Sequence, residues 1–190
     1  ICRFNPSIKY ISLLLENGID INETTNDGWN VLHLICRFNP SIKYISLLLE
    51  NGININETTN YGWNALHLIC HNNPQAIAGP QILIECISLL LENGIDINEK
   101  TYNGLNALHY ICRNNPSIEC ISLLLENGID INNKNNDGKT PYDLFFKDKD
   151  KNKKKYRKLI ENMRKEIFDT IYNEIGLIDD ICWIIVDNVL

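Results

Sequence analysis

A block of 34 residues repeats itself, and this fixed period constrains the fold more than any other feature of the chain. One anchor is a glycine at Gly28, Gly62, Gly104 and Gly138, opening runs such as Gly28-Trp29-Asn30-Val31-Leu32-His33, so the steps are 34, 42 and 34 residues. A second anchor, Leu-Leu-Leu-Glu-Asn-Gly, ends at Gly18, Gly52, Gly94 and Gly128 with the same steps. The longer step carries 8 inserted residues, which fall within 71–84. Two anchors in one register exclude coincidence. A unit of this size cannot bury its apolar face alone, whereas copies stacked side by side bury a continuous core.

Each unit reads as two short helices and a turn. Asn30, Asn64, Asn106 and Thr140 stand just before apolar runs and suit helix N-caps. Leu32, Leu34 and Ile35 share one helical face, and Leu66, Leu68 and Ile69 repeat it. Asn39-Pro40, Asn73-Pro74 and Asn115-Pro116 are predicted to end the first helix. They are also predicted to start the second, with Asn as cap and Pro at the first position, where a missing N–H costs nothing. Ile42, Ile45, Leu48 and Leu49 form the apolar stripe of that second helix, and Asn51-Gly52 closes it. Ile53-Asn54-Ile55-Asn56 alternates apolar and polar, which predicts a short extended arm. In the insertion, Gly79-Pro80 predicts a longer inter-helix loop, with Pro80 opening an extended second helix.

Taken together these residues resemble the ankyrin repeat. Gly28, Leu32 and His33 match the family's turn and first helix. Leu48-Leu49-Glu50-Asn51-Gly52 matches the end of its second helix, and Ile53-Asn54-Ile55-Asn56 its arm. Gly138-Lys139-Thr140-Pro141-Tyr142-Asp143-Leu144 looks like a final repeat. The departures are Asn for Thr, Val or Ala for Pro, and one extra residue between the helices. The resemblance covers about residues 1–146. It implies an all-α solenoid of helix-turn-helix units with short β-hairpin arms: a partial unit at 1–27, units at 28–61, 62–103 and 104–137, and a final one from 138. Ile1-Cys2-Arg3-Phe4-Asn5-Pro6 matches Ile35-Cys36-Arg37-Phe38-Asn39-Pro40, so the chain is read as starting inside a unit of a longer protein.

Charge and cysteine usage narrow the function classes. Residues 1–146 hold 8 Lys and Arg against 15 Asp and Glu, a net −7, which disfavours a nucleic-acid platform. Residues 147–165 reverse the sign, with 10 against 3. Of the 7 cysteines, Cys2, Cys36, Cys70 and Cys112 occupy one repeat position and Cys86 and Cys120 another. With an odd count and no Cys-x-x-Cys, they read as small buried hydrophobes, reduced and free of metal, in an intracellular and cytoplasmic setting. No signal peptide is visible, and no apolar run reaches the roughly 18–20 residues of a transmembrane helix, so no membrane partner is expected.

The tail changes character. Residues 147–158 read as a basic connector. Leu159, Ile160, Met163, Ile167 and Ile171 then make one helical stripe, followed by the apolar stretch 177–190. Residues 159–190 are expected either to cap the solenoid or to serve as an F-box-like recruiting segment. In the second case the repeats would be the substrate receptor of a ubiquitin ligase and the tail its adaptor contact. That reading is an analogy, because the tail lacks the Leu-Pro start of such segments.

No phosphate loop, His-Glu-x-x-His motif or nucleophile elbow is present, so no enzyme activity, cofactor or metal is expected. His33, His67 and His109 recur at the repeat period. The resemblance assigns them to packing and hydrogen bonding of the turn, and Asp143 takes the place in the last unit. The resemblance also implies that the hairpin tips, the residue after the turn glycine and the end of the first helix line one concave surface that binds another protein. A monomer is expected. The expected partner-binding residues are Asn26, Asp27, Trp29, Arg37 and Phe38, then Asn60, Tyr61, Trp63, His71 and Asn72. Tyr102, Asn103, Leu105, Arg113 and Asn114 follow, and last Asn136, Asp137 and Lys139. Within this set Trp29, Trp63 and Leu105 are predicted to form an exposed apolar ridge, of the residue types that dominate interface energetics.

Overall fold

The computed structural model describes residues 11–13, 16–71, 79–114 and 117–144, apart from the side chains of residues 79, 80 and 118. The basic connector, the tail and Asn72 of the expected binding set lie outside the described residues, as do Asn73-Pro74 and Asn115-Pro116.

Helices come in pairs at the repeat period. They are α1 (Val31–Phe38), α2 (Ile42–Glu50), α3 (Ala65–His71), α4 (Gly79–Glu92), α5 (Ala107–Asn114), α6 (Ile118–Glu126) and α7 (Pro141–Leu144). The first helices form one layer, in which α1 packs on α3, α3 on α5 and α5 on α7. The second helices form the other, in which α2 packs on α4 and α4 on α6. Between the layers Leu32, Ile35, Ile45 and Leu48 of one unit meet Leu66, Ile69, Ile87 and Leu90 of the next, all essentially free of solvent. No described residue is in a β-strand, so the architecture is all-α.

The first helix of each unit starts on a reciprocal cap. Asn30 accepts from the His33 backbone N–H at 2.9 Å, and His33 Nδ1 accepts from the Asn30 backbone N–H at 3.1 Å. These bonds satisfy two donors that a helix start would otherwise leave open. Asn64 with His67 repeats the arrangement, at 3.0 and 3.1 Å. In the last unit Thr140 and Asp143 perform it instead. The Thr140 backbone N–H donates to Asp143 Oδ2 at 2.8 Å, and the Asp143 N–H to Thr140 Oγ1 at 3.3 Å. Pro141 follows as the first helical residue, where its fixed φ suits the helix.

Second helices end as the sequence predicts. Gly52 adopts φ +79, its N–H donates to Leu49 O at 3.1 Å, and the Ile53 N–H reaches back to Leu48 O at 3.1 Å. This pair of bonds is the Schellman closure, completed by burial of Ile53 beside Leu48.

Two local expectations need correction. Asn39 caps the end of α1, and α2 begins at Ile42 with Ser41 in the N-cap position, so Pro40 lies in the connector rather than in the helix. The alternation Ile53-Asn54-Ile55-Asn56 is not an extended arm but a turn. The Asn54 side chain accepts from the Asn56 N–H at 3.2 Å, and the Asn54 carbonyl accepts from the Glu57 N–H at 3.4 Å. An Asx side chain folding onto the backbone two residues ahead competes with extended structure, and alternation of hydropathy does not register it. The insertion behaves as predicted where it is described: α4 runs for 14 residues against 9 for α2 and α6, and Pro80 sits in its first turn.

Candidate functional site: a cleft between two units

The hairpins bring most of the expected binding residues to one edge. In each, a backbone bond closes the loop (Thr25 N–H to Trp29 O at 2.9 Å, Thr59 N–H to Trp63 O at 2.9 Å), and the glycine before the aromatic residue takes a positive φ. Adjacent tips are tied by Asn60 N–H to Asp27 O at 3.0 Å, Tyr102 N–H to Tyr61 O at 3.1 Å and Asn136 N–H to Asn103 O at 3.0 Å. Asn60 and Asn136 use their side-chain amides in the same joint, each donating at 2.9 Å to a carbonyl of the preceding tip, of Asn26 and Tyr102 respectively. These two asparagines therefore serve the stacking of the arms, and Tyr61 and Tyr102, 62 % and 73 % exposed, are the aromatic residues that the tips present to solvent.

The predicted ridge is altered at both ends. Leu105 is buried, 6 % exposed, and belongs to the core rather than to an exposed ridge. Trp29 and Trp63 are half-buried, and they differ in what they touch. Trp29 stacks on Phe38 and meets His33 edge-on, both within its own unit. Trp63 lies across Tyr110 of the next unit at 4.5 Å between ring centres and meets His71 at 5.2 Å.

Tyr110 is the residue that sequence reasoning missed, and the repeat register could have found it. Leu34, Leu68 and Tyr110 occupy one position, where the third copy is aromatic. Buried and with its hydroxyl 3.4 Å from Thr101 Oγ1, Tyr110 fills the space beside Trp63. One unit earlier the corresponding side chain is the shorter Leu68, and there a cleft of about 260 Å³ remains. Trp29 and Trp63 line it with Tyr61, Thr59 and Leu68, and Arg37 and His71 complete the lining.

Arg37, His71 and Arg113 are also one repeat position, at the C-terminal ends of α1, α3 and α5. Arg37 Nη1 lies 2.9 Å from His71 Nδ1. A guanidinium can only donate, so the ring accepts and is neutral. Burial holds the His71 pKa below its ordinary value, and the charges of Arg37 and Arg113 press in the same direction. Asn114 donates its side-chain amide to the His71 carbonyl at 3.2 Å. Among the remaining expected residues, Asn26, Asp27, Asn103, Arg113, Asn114 and Asp137 are exposed, and Lys139 is half-buried.

The periodic histidines have no free ring nitrogen for other chemistry. His33 Nε2 lies 3.0 Å from Glu57 O and His67 Nε2 3.0 Å from Glu99 O, while Nδ1 of each ring accepts from the cap. Only a neutral ring protonated at Nε2 can make both bonds. Cys36, Cys70, Cys86, Cys112 and Cys120 are free thiols, all buried, and burial pushes their pKa values up, for Cys86 to about 12. Among the described residues no three His, Cys, Asp or Glu are grouped to hold a metal ion, and no helix is long and apolar enough to cross a membrane.

A two-layer stack at a 34-residue period, closed hairpins and a polar N-cap paired with the N3 residue in every unit are the structural terms of the sequence motifs. Family models for ankyrin repeats match residues 1–101, in three copies, and 90–145. The chain belongs to the ankyrin-repeat family. Ankyrin repeats are in general protein–protein interaction modules. No curated protein matches the chain.

The structure also explains how this ankyrin chain departs from the family pattern. Where Asn replaces Thr at the N-cap, its extra amide can reach the turn that closes its own unit: Asn64 donates to Asp96 O at 3.2 Å and Asn106 to Asp130 O at 2.9 Å, while the buried Asn30 amide has no partner among the described residues. A threonine hydroxyl can cap the helix but has no second arm for that bridge.

Proposed function

We propose that this ankyrin solenoid binds a segment of another protein in the cleft between the 28–61 and 62–103 units, with the hairpin tips and the ends of the first helices forming the surrounding contact surface. The observation that carries the reading is the gap itself. Two indoles and a leucine leave about 260 Å³ open at a place that Tyr110 fills one unit further on. Half-exposed Trp and Tyr side chains around such a gap are strong anchors for a partner, since they offer large contact areas and lose little conformational freedom. Stacking fixes their backbones in advance, which lowers the ordering cost of association.

The stack supplies its own test. Leu68→Tyr places in the cleft the residue that already fits the next interface, and Thr59 stands to position 68 as Thr101 stands to Tyr110. Proteins captured by the native chain and by Leu68→Tyr should be compared quantitatively, with helicity and melting temperature measured alongside. The expected result is an equally stable variant that loses at least ten-fold in capture of a defined set of partners. A partner set retained in full by a folded Leu68→Tyr variant would place binding elsewhere.

A further inference from the structure

We infer that the cleft takes a tyrosine side chain of the bound segment, with its ring against the indole of Trp29 and its hydroxyl at Thr59. This inference rests on the cleft being the binding site and adds the identity of the group that fills it. The occupant is visible one unit further on. Tyr110, 4 % exposed, lies across Trp63 with 4.5 Å between ring centres, and its hydroxyl stands 3.4 Å from Thr101 Oγ1. Trp29, Thr59 and Leu68 hold the positions of Trp63, Thr101 and Tyr110 one unit earlier, and all three line the cleft. Stacked repeats present the same backbone from unit to unit, so a phenol entering the cleft meets the same kinds of partner in the same register. Thr59 narrows the choice further. It is 3 % exposed, and its Oγ1 accepts from the Trp63 N–H at 3.2 Å and the Tyr61 N–H at 3.4 Å. Both lone pairs are then used, and among the described residues nothing accepts the Thr59 O–H. The entering group must therefore accept a hydrogen bond while covering aromatic surface. A phenol oxygen accepts, whereas an indole N–H, an ammonium and a guanidinium only donate, and Phe and Leu bring no oxygen at all. A phenol is also neutral, so the net −7 of residues 1–146 does not oppose it as it would the phosphates of a nucleic-acid strand.

A phage-displayed library of random linear 12-residue peptides, selected on the immobilised full chain, tests this. Enriched peptides should share one tyrosine. In a synthetic representative, replacing that tyrosine by Leu should lower affinity for the native chain at least ten-fold, and replacing it by Phe about five-fold, the effect of one neutral hydrogen bond. On Leu68→Tyr, where the chain's own phenol fills the cleft, the tyrosine peptide should lose at least ten-fold. On Thr59→Val the ratio of Tyr-peptide to Phe-peptide affinity should fall to about one, and Thr59→Ser should keep it near five. That ratio compares two peptides on one protein, so it holds even if Thr59→Val weakens the hairpin, and the native-chain comparison needs no protein variant. Enriched peptides with no shared tyrosine, or a Phe peptide that binds the native chain as well as the Tyr peptide, overturn the inference. A ratio unchanged on Thr59→Val overturns it too. If such peptides still lose affinity on Leu68→Tyr, the cleft remains the site and only the identity of its occupant is wrong. Peptides indifferent to Leu68→Tyr remove the cleft as well. A library with no enrichment overturns the inference and leaves the cleft to be judged by protein capture on Leu68→Tyr.

Discussion

At the scale of single residues, the buried histidines make stability depend on pH. His67 is 1 % exposed and its pKa is lowered to about 4. The first cause is burial, which outweighs the carbonyls of Glu99 and Leu105 and the nearby Asp96, while His109 acts with the burial. In the unfolded chain the ring titrates near its usual value of about 6.5. Below that pH the unfolded state binds a proton that the folded state refuses, so stability present above pH 6.5 is lost as the pH falls toward 4. His67 alone should contribute a loss of about 3 kcal/mol by pH 4, and His33 and His109 act in the same direction. Urea unfolding at a series of pH values checks this, and a flat midpoint between pH 6.5 and 4.5 would contradict it. The turn glycines make a second prediction at this scale. Gly104 and Gly138 both hold a positive φ, but a Cβ on Gly104 would lie 2.7 Å from Asn136 Oδ1 and 3.1 Å from its backbone N, whereas one on Gly138 meets nothing within 4 Å. Gly138→Ala should cost about 1 kcal/mol from the left-handed backbone alone. Gly104→Ala should cost about 1 kcal/mol more, because the Asn136 amide must release Tyr102 O. Equal shifts in melting temperature for the two variants would show that the arms are not in contact as described.

At the scale of elements, one asparagine per unit joins each turn to the next. Asn22 Oδ1 accepts from the Asn54 N–H at 2.7 Å while its amide donates to Gly52 O at 3.2 Å. Asn56 does the same to Asp96 and Gly94, and Asn98 to Asp130 and Gly128. Each side chain presents a donor and an acceptor to neighbouring backbone, as another peptide group would. Asn98→Ala removes both bonds and should destabilise by about 2 kcal/mol, whereas Asn98→Asp, which keeps the acceptor and loses the donor, should cost about half as much. Urea midpoints at unchanged helical circular dichroism measure the difference, and identical costs would mean that only the donated bond matters. The sequence made part of this legible. The repeated Asn marked the position, and the caps at Asn30 and Asn64 and the closures at Gly52 and Gly94 followed from residue type and spacing. What it hid was direction. The alternation of Ile and Asn is equally satisfied by a strand and by an Asx turn, and only the partner, a backbone 30 or more residues away, decides between them. Leu105 departs from its expectation for a similar reason: the register puts it beside Trp29 and Trp63 but does not show that its shorter side chain sinks into the core.

At the scale of the whole molecule, stacking limits each unit's contacts to its neighbours, so a lesion should be felt locally and fade along the stack. The free thiols offer a way to see this. Cys36, Cys70 and Cys112 lie on the first helices of their units and Cys86 and Cys120 on the second, all buried with raised pKa values. A thiol that is both covered and protonated reacts only when its unit opens. In the native protein at pH 7.5, alkylation of these five residues should therefore be slow and should report local opening unit by unit. The Asn98 rung belongs to the 62–103 and 104–137 units, so Asn98→Ala should speed labelling of Cys112 and Cys120 most. Cys70 and Cys86 should respond less, and Cys36 least. Taking the loss of about 2 kcal/mol as fully expressed in local opening, labelling at the first two sites should rise about thirty-fold. Peptide mass spectrometry after timed alkylation resolves the five sites. A uniform acceleration would mean that the described units open as one cooperative body, and the free energy of each interface would then have to be read as a property of the stack rather than of neighbouring pairs.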